Sequence, residues 1–414
     1  MTIEHLGRAV AAWLHARLDV EPVLTLLRRK PVPIHRHSWI YTLGDALVFV
    51  FVLQALTGGL LLFYYQPAEA AAHESVRKIM TEVPCGALVR SMHVWGATVM
   101  MVFAGLHFLT TVWTRAYRRP RELVWMTGML MLGVVMASGF SGYLLPWNEL
   151  SYHATRVGTQ IPGKLPLVGP GLVWLLRGGE QIAAQTLTRF FAAHIFLAPV
   201  TLGLLLALHV FLSRVRGVSL PIGVAERDVR DRRPFFSEFL LVDCCLGLAI
   251  LGTIVTLAVL QPASLGVRAD PLKPAPDGIK PEWYFLFLYQ SLKLLPEGPA
   301  LALWASVGLL LFALPFLDRD AARGRKNPWL SAVFAVLVAG VAILQLLAAL
   351  DPRAAPSGEL AAPPTESTAH GLVSLVLLWS VIGWLVVHLR RLLRENERWR
   401  RLRGSGRAPG ESPG

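Results

Sequence analysis

Charge is what this chain has least of. Asp, Glu, Lys and Arg make up 16% of its 414 residues, where soluble domains carry about 25%. So small a supply cannot cover a water-facing surface; a soluble globular protein is excluded and a membrane protein is expected. Cysteine is nearly absent as well, the three being Cys85, Cys244 and Cys245. They form no C-x-x-C-H and no zinc spacing, so neither a covalent c-type haem nor a zinc site is expected. Acidic residues are the scarcer sign, 27 against 40 basic, which leaves a net charge of +13 to be explained.

What the chain has in abundance is apolar sequence, 54% of all residues. Uncharged apolar runs of about 20 residues are long enough to cross a bilayer as helices. Eight such runs occur, at about 39–63, 89–113, 123–145, 187–212, 239–261, 299–317, 328–350 and 370–389. If they alternate in direction, 28 of the 40 Lys and Arg fall on the side that holds both termini, and 10 fall on the other. The positive-inside rule then puts both termini in the cytoplasm. The same asymmetry accounts for the net charge, so no nucleic-acid partner is expected. Residues 1–38 are mixed and basic and show no cleavable signal peptide. Within them, 8–27 alternate apolar and charged residues, as in a helix lying on a lipid surface.

The expected architecture is all-α: an integral membrane protein with eight transmembrane helices. Residues 1–38 form a cytoplasmic surface segment, and 39–213 hold the first four spans with the long third-to-fourth connection. Residues 214–390 hold the last four, and 391–414 are a basic cytoplasmic tail. Two outer connections, 146–186 and 262–298, are rich in Pro and Gly yet carry apolar pieces, LVWLL (172–176) and WYFLFLYQSL (283–292). Long loops with apolar pieces of their own are more often binding elements than linkers.

Histidine in hydrocarbon is a functional-site hypothesis by default. The second span carries His93 and His107, 14 residues apart, and the fourth carries His194 and His209, 15 apart. Those separations rise roughly 21 and 22 Å and return the second imidazole to within about 40–60° of the first. Each helix thus offers two imidazoles on one broad face, one near each membrane surface. Zinc wants three or four ligands, whereas two imidazoles on opposite faces of a flat macrocycle suit haem iron. Gly44 and Gly58 in the first span, and Gly128 and Gly142 in the third, repeat the 14-residue interval. Glycine lets a large planar group approach the backbone, so the first four spans are expected to form a dihaem four-helix bundle. Arg90 and Arg189 precede His93 and His194 by three and five residues, where guanidinium groups could pair with haem propionates.

These residues resemble cytochrome b, the membrane core of the bc-type quinol:cytochrome c oxidoreductases. The resemblance runs over nearly all of 31–390 and includes RPRELVWMTG (119–128), SGYLLPWNELSYHAT (141–155), LTRFFAAH (187–194) and PEWY (281–284). It implies two non-covalent b-type haems, with His93 and His194 holding the low-potential haem near the outer face. His107 and His209 would hold the high-potential haem near the cytoplasm. It also implies a quinone as substrate, a Rieske iron–sulfur protein and a c-type cytochrome as partners, a homodimer within a larger complex, and a place in the bacterial cytoplasmic membrane. In that family quinol is oxidised at the outer site, with one electron going to the Rieske protein and one through the haems to quinone at an inner site, and the resemblance implies the same here.

PEWY is the family's signature for the outer site. Glu282 follows Pro281 at the start of an apolar helix, where the helix dipole favours a carboxylate and burial disfavours it. Such a group can take a quinol proton and pass it on. Tyr284, Tyr143 and His153 are further candidates there; His153 stands where the family usually has Trp. Arg214, Glu238 and Asp243 are candidates for the inner quinone site. The chain departs from the family in several places. Thr42 replaces the cysteine that binds an extra haem in plastid-type members, and the chain continues after the fourth span as a fused form. Ala154 replaces a common Gly, from which weak strobilurin binding is expected. Thr110 replaces the Arg that usually serves the inner haem, leaving Arg115 or Arg118 as the partner of its propionates. Two other readings compete: a dihaem membrane anchor of another quinone-linked dehydrogenase, and a transporter with a histidine proton relay.

Overall fold

The chain folds as α-helices stacked side by side, which is how a run of apolar residues satisfies its backbone without water. The computed structural model describes residues 32–351, apart from 36, 223, 225–228, 234–239 and 276–278, with a few isolated positions before residue 32. The described helices of nine or more residues are α1 (Thr42–Leu62), α2 (Ala72–Thr81), α3 (Gly86–Thr114), α4 (Glu122–Leu144), α5 (Glu149–Gln160), α6 (Gly169–Arg177), α7 (Ala184–Arg216), α8 (Leu240–Leu260), α9 (Leu286–Leu294), α10 (Glu297–Phe312) and α11 (Pro328–Leu350). Two three-residue strands, β1 (Val32–Ile34) and β2 (Asp231–Arg233), pair antiparallel.

Among the described residues, six helices are long and apolar enough to cross a membrane: α1, α3, α4, α7, α8 and α11. They coincide with the first five and the seventh of the expected spans. The sixth differs. Its helix α10 stops at Phe312, and a separate turn, Leu314–Leu317, follows. Pro315 is the cause, because it cannot donate to the carbonyl of Leu311. The indole Nε1 of Trp125 donates to that carbonyl instead, at 2.9 Å. The eighth expected span, 370–389, lies outside the described residues, as do most of the N-terminal surface segment and the tail.

Helix α1 packs along α3, and α4 along α7, so the first four spans form a bundle of two pairs; α8 packs on α1 and α3. The ends of the bundle differ. At one end, the long connections bring their own helices α5, α6 and α9; LVWLL falls inside α6, and WYFLFLYQSL makes a 3-10 turn (Trp283–Phe285) followed by most of α9. At the other, short basic turns close the helices. The loop-rich end has a buried cluster around Leu144, Trp147, Leu187 and Phe190, and the basic end has one around Val112, Tyr117, Trp125 and Phe334.

Candidate functional site

The four membrane histidines meet in two tiers. His93 on α3 faces His194 on α7, with ring centroids 6.1 Å apart and planes crossed at 85°. His107 and His209 are electrostatic neighbours in the second tier, toward the basic end. Each imidazole lies against one glycine of the adjacent helix. A Cβ on Gly58 would stand 3.1 Å from His93 Cε1, and one on Gly142 would stand 2.5 Å from His194 Cε1. Gly128 and Gly44 oppose His209 and His107 in the same way, at 3.3 and 3.7 Å.

Hydrogen bonds fix which ring nitrogen is free. Thr57 Oγ1 gives its proton to the Leu53 carbonyl at 2.8 Å, so it must accept from His93 Nδ1–H, 2.9 Å away. Thr127 Oγ1 does the same, donating to Leu123 O at 2.9 Å and accepting from His209 Nδ1–H at 3.0 Å. His194 Nδ1–H donates to the Ser138 carbonyl at 2.9 Å. In these three rings the proton is on Nδ1, which leaves the Nε2 lone pair for a metal; a histidine oriented through its other nitrogen is the usual arrangement of a ligand. His107 is the exception, its Nδ1 buried with no partner. Among the described residues no group of three or more His, Cys, Asp or Glu could hold a metal. Paired imidazoles, a glycine cradle at each ring and oriented Nδ1 atoms therefore fit bis-histidine haem and not a zinc site.

Arg90 and Arg189 stand at the loop-rich ends of α3 and α7, and both grip backbone carbonyls of the long connections. Arg90 is buried, and its Nη1 and Nη2 donate to the carbonyls of Ala263 and Ser264 at 2.5 and 2.8 Å. Arg189 Nη1 donates to the Trp174 carbonyl at 2.7 Å and also to that of Leu175.

The two long connections are tied together beside the first tier. Asn148 and Ser151 form a reciprocal cap at the start of α5. Asn148 Nδ2 also donates to Leu265 O at 2.7 Å, Glu149 N to Val267 O, and Ala269 N to Trp147 O. Glu282, Tyr284 and Tyr143 form one group within this frame. Burial pushes the part-buried Glu282 carboxyl above the ordinary carboxylate range, against a lowering pull from the Trp283 N–H that donates to it. Burial, and then the Glu282 charge, raise the Tyr284 phenol. Tyr284 Oη lies on α4, where a Cβ on Gly139 would meet it at 3.0 Å. The Tyr143 hydroxyl is buried without a hydrogen-bond partner. His153 is buried, edge-on to Tyr152 at 5.3 Å. Burial and then Arg156 lower its imidazole, while Glu149 pulls the other way.

Of the inner-site candidates, Arg214 ends α7 and Asp243 lies in the first turn of α8; Glu238 falls outside the described residues. Both carboxylate oxygens of Asp243 are buried without a hydrogen-bond donor. Beside it stand Arg214 and a second carboxyl, Asp45 of α1. The sequence reading missed Asp45, although an acid one residue after Gly44 inside an apolar span is itself a signal. Arg115, one of the two residues expected to serve the inner haem, is engaged elsewhere. It is buried, its Nε lies 3.1 Å from Asp318 Oδ2, and its Nη atoms donate to Val112 O and Ser331 Oγ at 2.8 Å. Tyr117 Oη donates to the same carboxylate at 2.7 Å. Arg118 donates to the carbonyls of Leu220 and Arg115.

Two family models match the chain, cytochrome b/b6/petB over residues 27–217 and the cytochrome b (C-terminal)/b6/petD model over 268–357. The chain is 42% identical over 336 residues to a cytochrome bc complex cytochrome b subunit from Chlorobaculum thiosulfatiphilum, covering 80% of this chain and 78% of that protein. It is 38% identical to a cytochrome b6 from Prochlorococcus marinus, over 51% of this chain and 96% of the relative. Among solved structures, a hyperthermophilic respiratory Complex III superposes with a TM-score of 0.72 at 29% identity, covering 91% of this chain and 98% of the other. The chain belongs to the cytochrome b/b6 family.

Proposed function

We propose the following division of labour within the two-haem cytochrome b of a bc-type quinol:cytochrome c oxidoreductase. The observation that carries it is the two-tier arrangement, in which four imidazoles each oppose a glycine and three are oriented through Nδ1. His93 and His194 hold one b-type haem, and His107 and His209 the other. When bound there, the haems supply one-electron carriers stacked across the bilayer. Arg90 and Arg189 face the propionate side of the first tier. A guanidinium has five N–H donors, so a propionate would share each of them with the loop carbonyls already held.

The loop-rich end faces outward from the cytoplasmic membrane, and both termini are cytoplasmic. Quinol binds at that end, against Tyr284, Tyr143 and the wall of α4. Glu282 takes one hydroxyl proton, and its raised affinity for protons suits it to that task. The Tyr143 hydroxyl, which has no other partner, orients the quinol oxygen. His153 lines the α5 wall. The Rieske iron–sulfur partner takes the first electron. At the basic end, Asp243, Asp45 and Arg214 bind quinone, and the two carboxyls deliver protons to it as it takes up electrons.

Replacing Glu282 by Gln tests the outer assignment. Quinol oxidation should fall by about 10²–10⁴-fold, the usual worth of a positioned base, while the dithionite-reduced spectrum still shows two b-type haems per chain. Unchanged turnover would remove Glu282 from the site. Absence of any haem band would instead favour a transporter.

A further inference from the structure

Helices α3 and α7 meet one spacing requirement in different ways. In α3 the histidines are 14 residues apart, and the helix is α-helical from Gly86 to Thr114. In α7 they are 15 apart, yet the glycines that oppose them, Gly142 and Gly128, are 14 apart, as are Gly58 and Gly44. Three of the four helices keep one interval, and the fourth has a residue too many. In a regular helix that surplus would turn one imidazole by about 100° and lift it by about 1.5 Å. It would no longer face its glycine.

The surplus is taken up at His194 itself. Residues Ala193–Leu197 form a π-turn, and the N–H of Ala198 bonds to the carbonyl of Ala193, five residues back. Such a turn holds one residue more than an α-turn. Beyond it α7 resumes as a regular helix to Arg216, and both histidines lie against their glycines. The sequence supplies the cause in Pro199. It has no N–H for the Ile195 carbonyl, and its ring crowds that carbonyl, so a regular α-turn before it is disfavoured. The extra length lies on the open side of the helix: Ile195, Phe196 and Leu197 are 38%, 66% and 62% exposed.

We propose that the π-turn at His194, set by Pro199, is a register device that brings the two haem ligands of α7 into the 14-residue frame of the other three helices. The proposal rests on the bis-histidine reading above. It makes Pro199 a positioning residue and predicts an asymmetry: α7 can lose one residue between its histidines, and α3 cannot.

The test compares single-residue deletions in the full chain, expressed with its complex. Deleting Leu197 leaves the histidines 14 residues apart and removes the residue that the π-turn takes up. Two haems per chain are expected, with the electron paramagnetic resonance signal and midpoint potential of the first-tier haem as in the native chain. Deleting Val94, which is 42% exposed and also follows a histidine, should cost one of the two haems, since α3 has no π-turn to give up. Loss of a haem on deleting Leu197, or two unaltered haems on deleting Val94, would overturn the proposal. If the Leu197 deletion does not accumulate in membranes, combining it with Pro199→Ala lets the shortened helix close fully; both haems are again expected, and loss of one overturns it. A native chain with fewer than two haems would refute the bis-histidine reading itself, which separates the two failures.

Discussion

In the tier at the loop-rich end, a Cβ on Gly58 would stand 3.1 Å from its histidine ring and one on Gly142 would stand at 2.5 Å; at the basic end the corresponding distances are 3.3 Å for Gly128 and 3.7 Å for Gly44. The polar contacts follow the same gradient. Both rings of the first tier have Nδ1 hydrogen-bonded, whereas in the second His209 is bonded and His107 is not. The same pair of residue types at the same interval thus makes a tight site at one end and a looser one at the other. Spacing sets the depth of a ligand; only its neighbours set how firmly it is held.

The largest expected effect follows from the glycines. In Gly142→Ala, the new methyl would overlap the His194 ring, at 2.5 Å from Cε1 and 2.9 Å from Nδ1. Overpacking of this kind costs about 1–3 kcal/mol, so first-tier haem retention should fall roughly tenfold or more. In Gly44→Ala the methyl meets His107 at 3.7 Å, an ordinary contact, and both haems should remain. Haem content per chain, read from reduced-minus-oxidised spectra, distinguishes the two. Equal losses in both variants would erase the contrast between tiers.

A smaller effect separates the ends through pH. Glu282 accepts a proton only when ionised, and burial raises its affinity for that proton. Quinol oxidation should therefore rise as pH climbs through the raised value and level off above it, changing by up to about tenfold per pH unit on the rising limb. In Glu282→Gln the residual rate should lack that limb. A native rate that is flat from mildly acidic to neutral pH, measured with saturating acceptor, would show that Glu282 is not the base.

The bundle was legible in the sequence because apolar length and basic asymmetry are properties of whole segments. The histidine and glycine intervals were legible for a related reason: a helix converts sequence interval directly into depth and angle. What could not be read were effects of single neighbours. The break of the sixth span depends on Pro315 and on an indole from α4 that reaches Leu311 O. The engagement of Arg115 depends on Asp318, some two hundred residues later in the chain. Asp45 gains its setting only when α1 and α8 pack together. The extra residue in α7 was visible as a count, but its resolution into a π-turn required Pro199 and the glycine frame to be seen together.

The smallest effect concerns electron affinity. A hydrogen bond from Nδ1–H to an acceptor makes the imidazole a stronger donor through Nε2 and so favours the ferric form. The first tier has two such bonds and the second has one, which on this ground alone gives the first-tier haem the lower potential. Thr57→Val removes the acceptor from His93 Nδ1 at nearly constant volume. The potential of the first-tier haem should then rise by about 30–60 mV, a threefold to tenfold change in its equilibrium, while the second-tier haem does not move. Thr127→Val should raise the second-tier potential instead and widen the gap. A redox titration of the α-bands resolves both haems in one sample. If Thr57→Val left the first-tier potential unchanged or lowered it, the hydrogen bonds would not be what separates the tiers, and the difference would have to come from the charges at the two ends of the bundle.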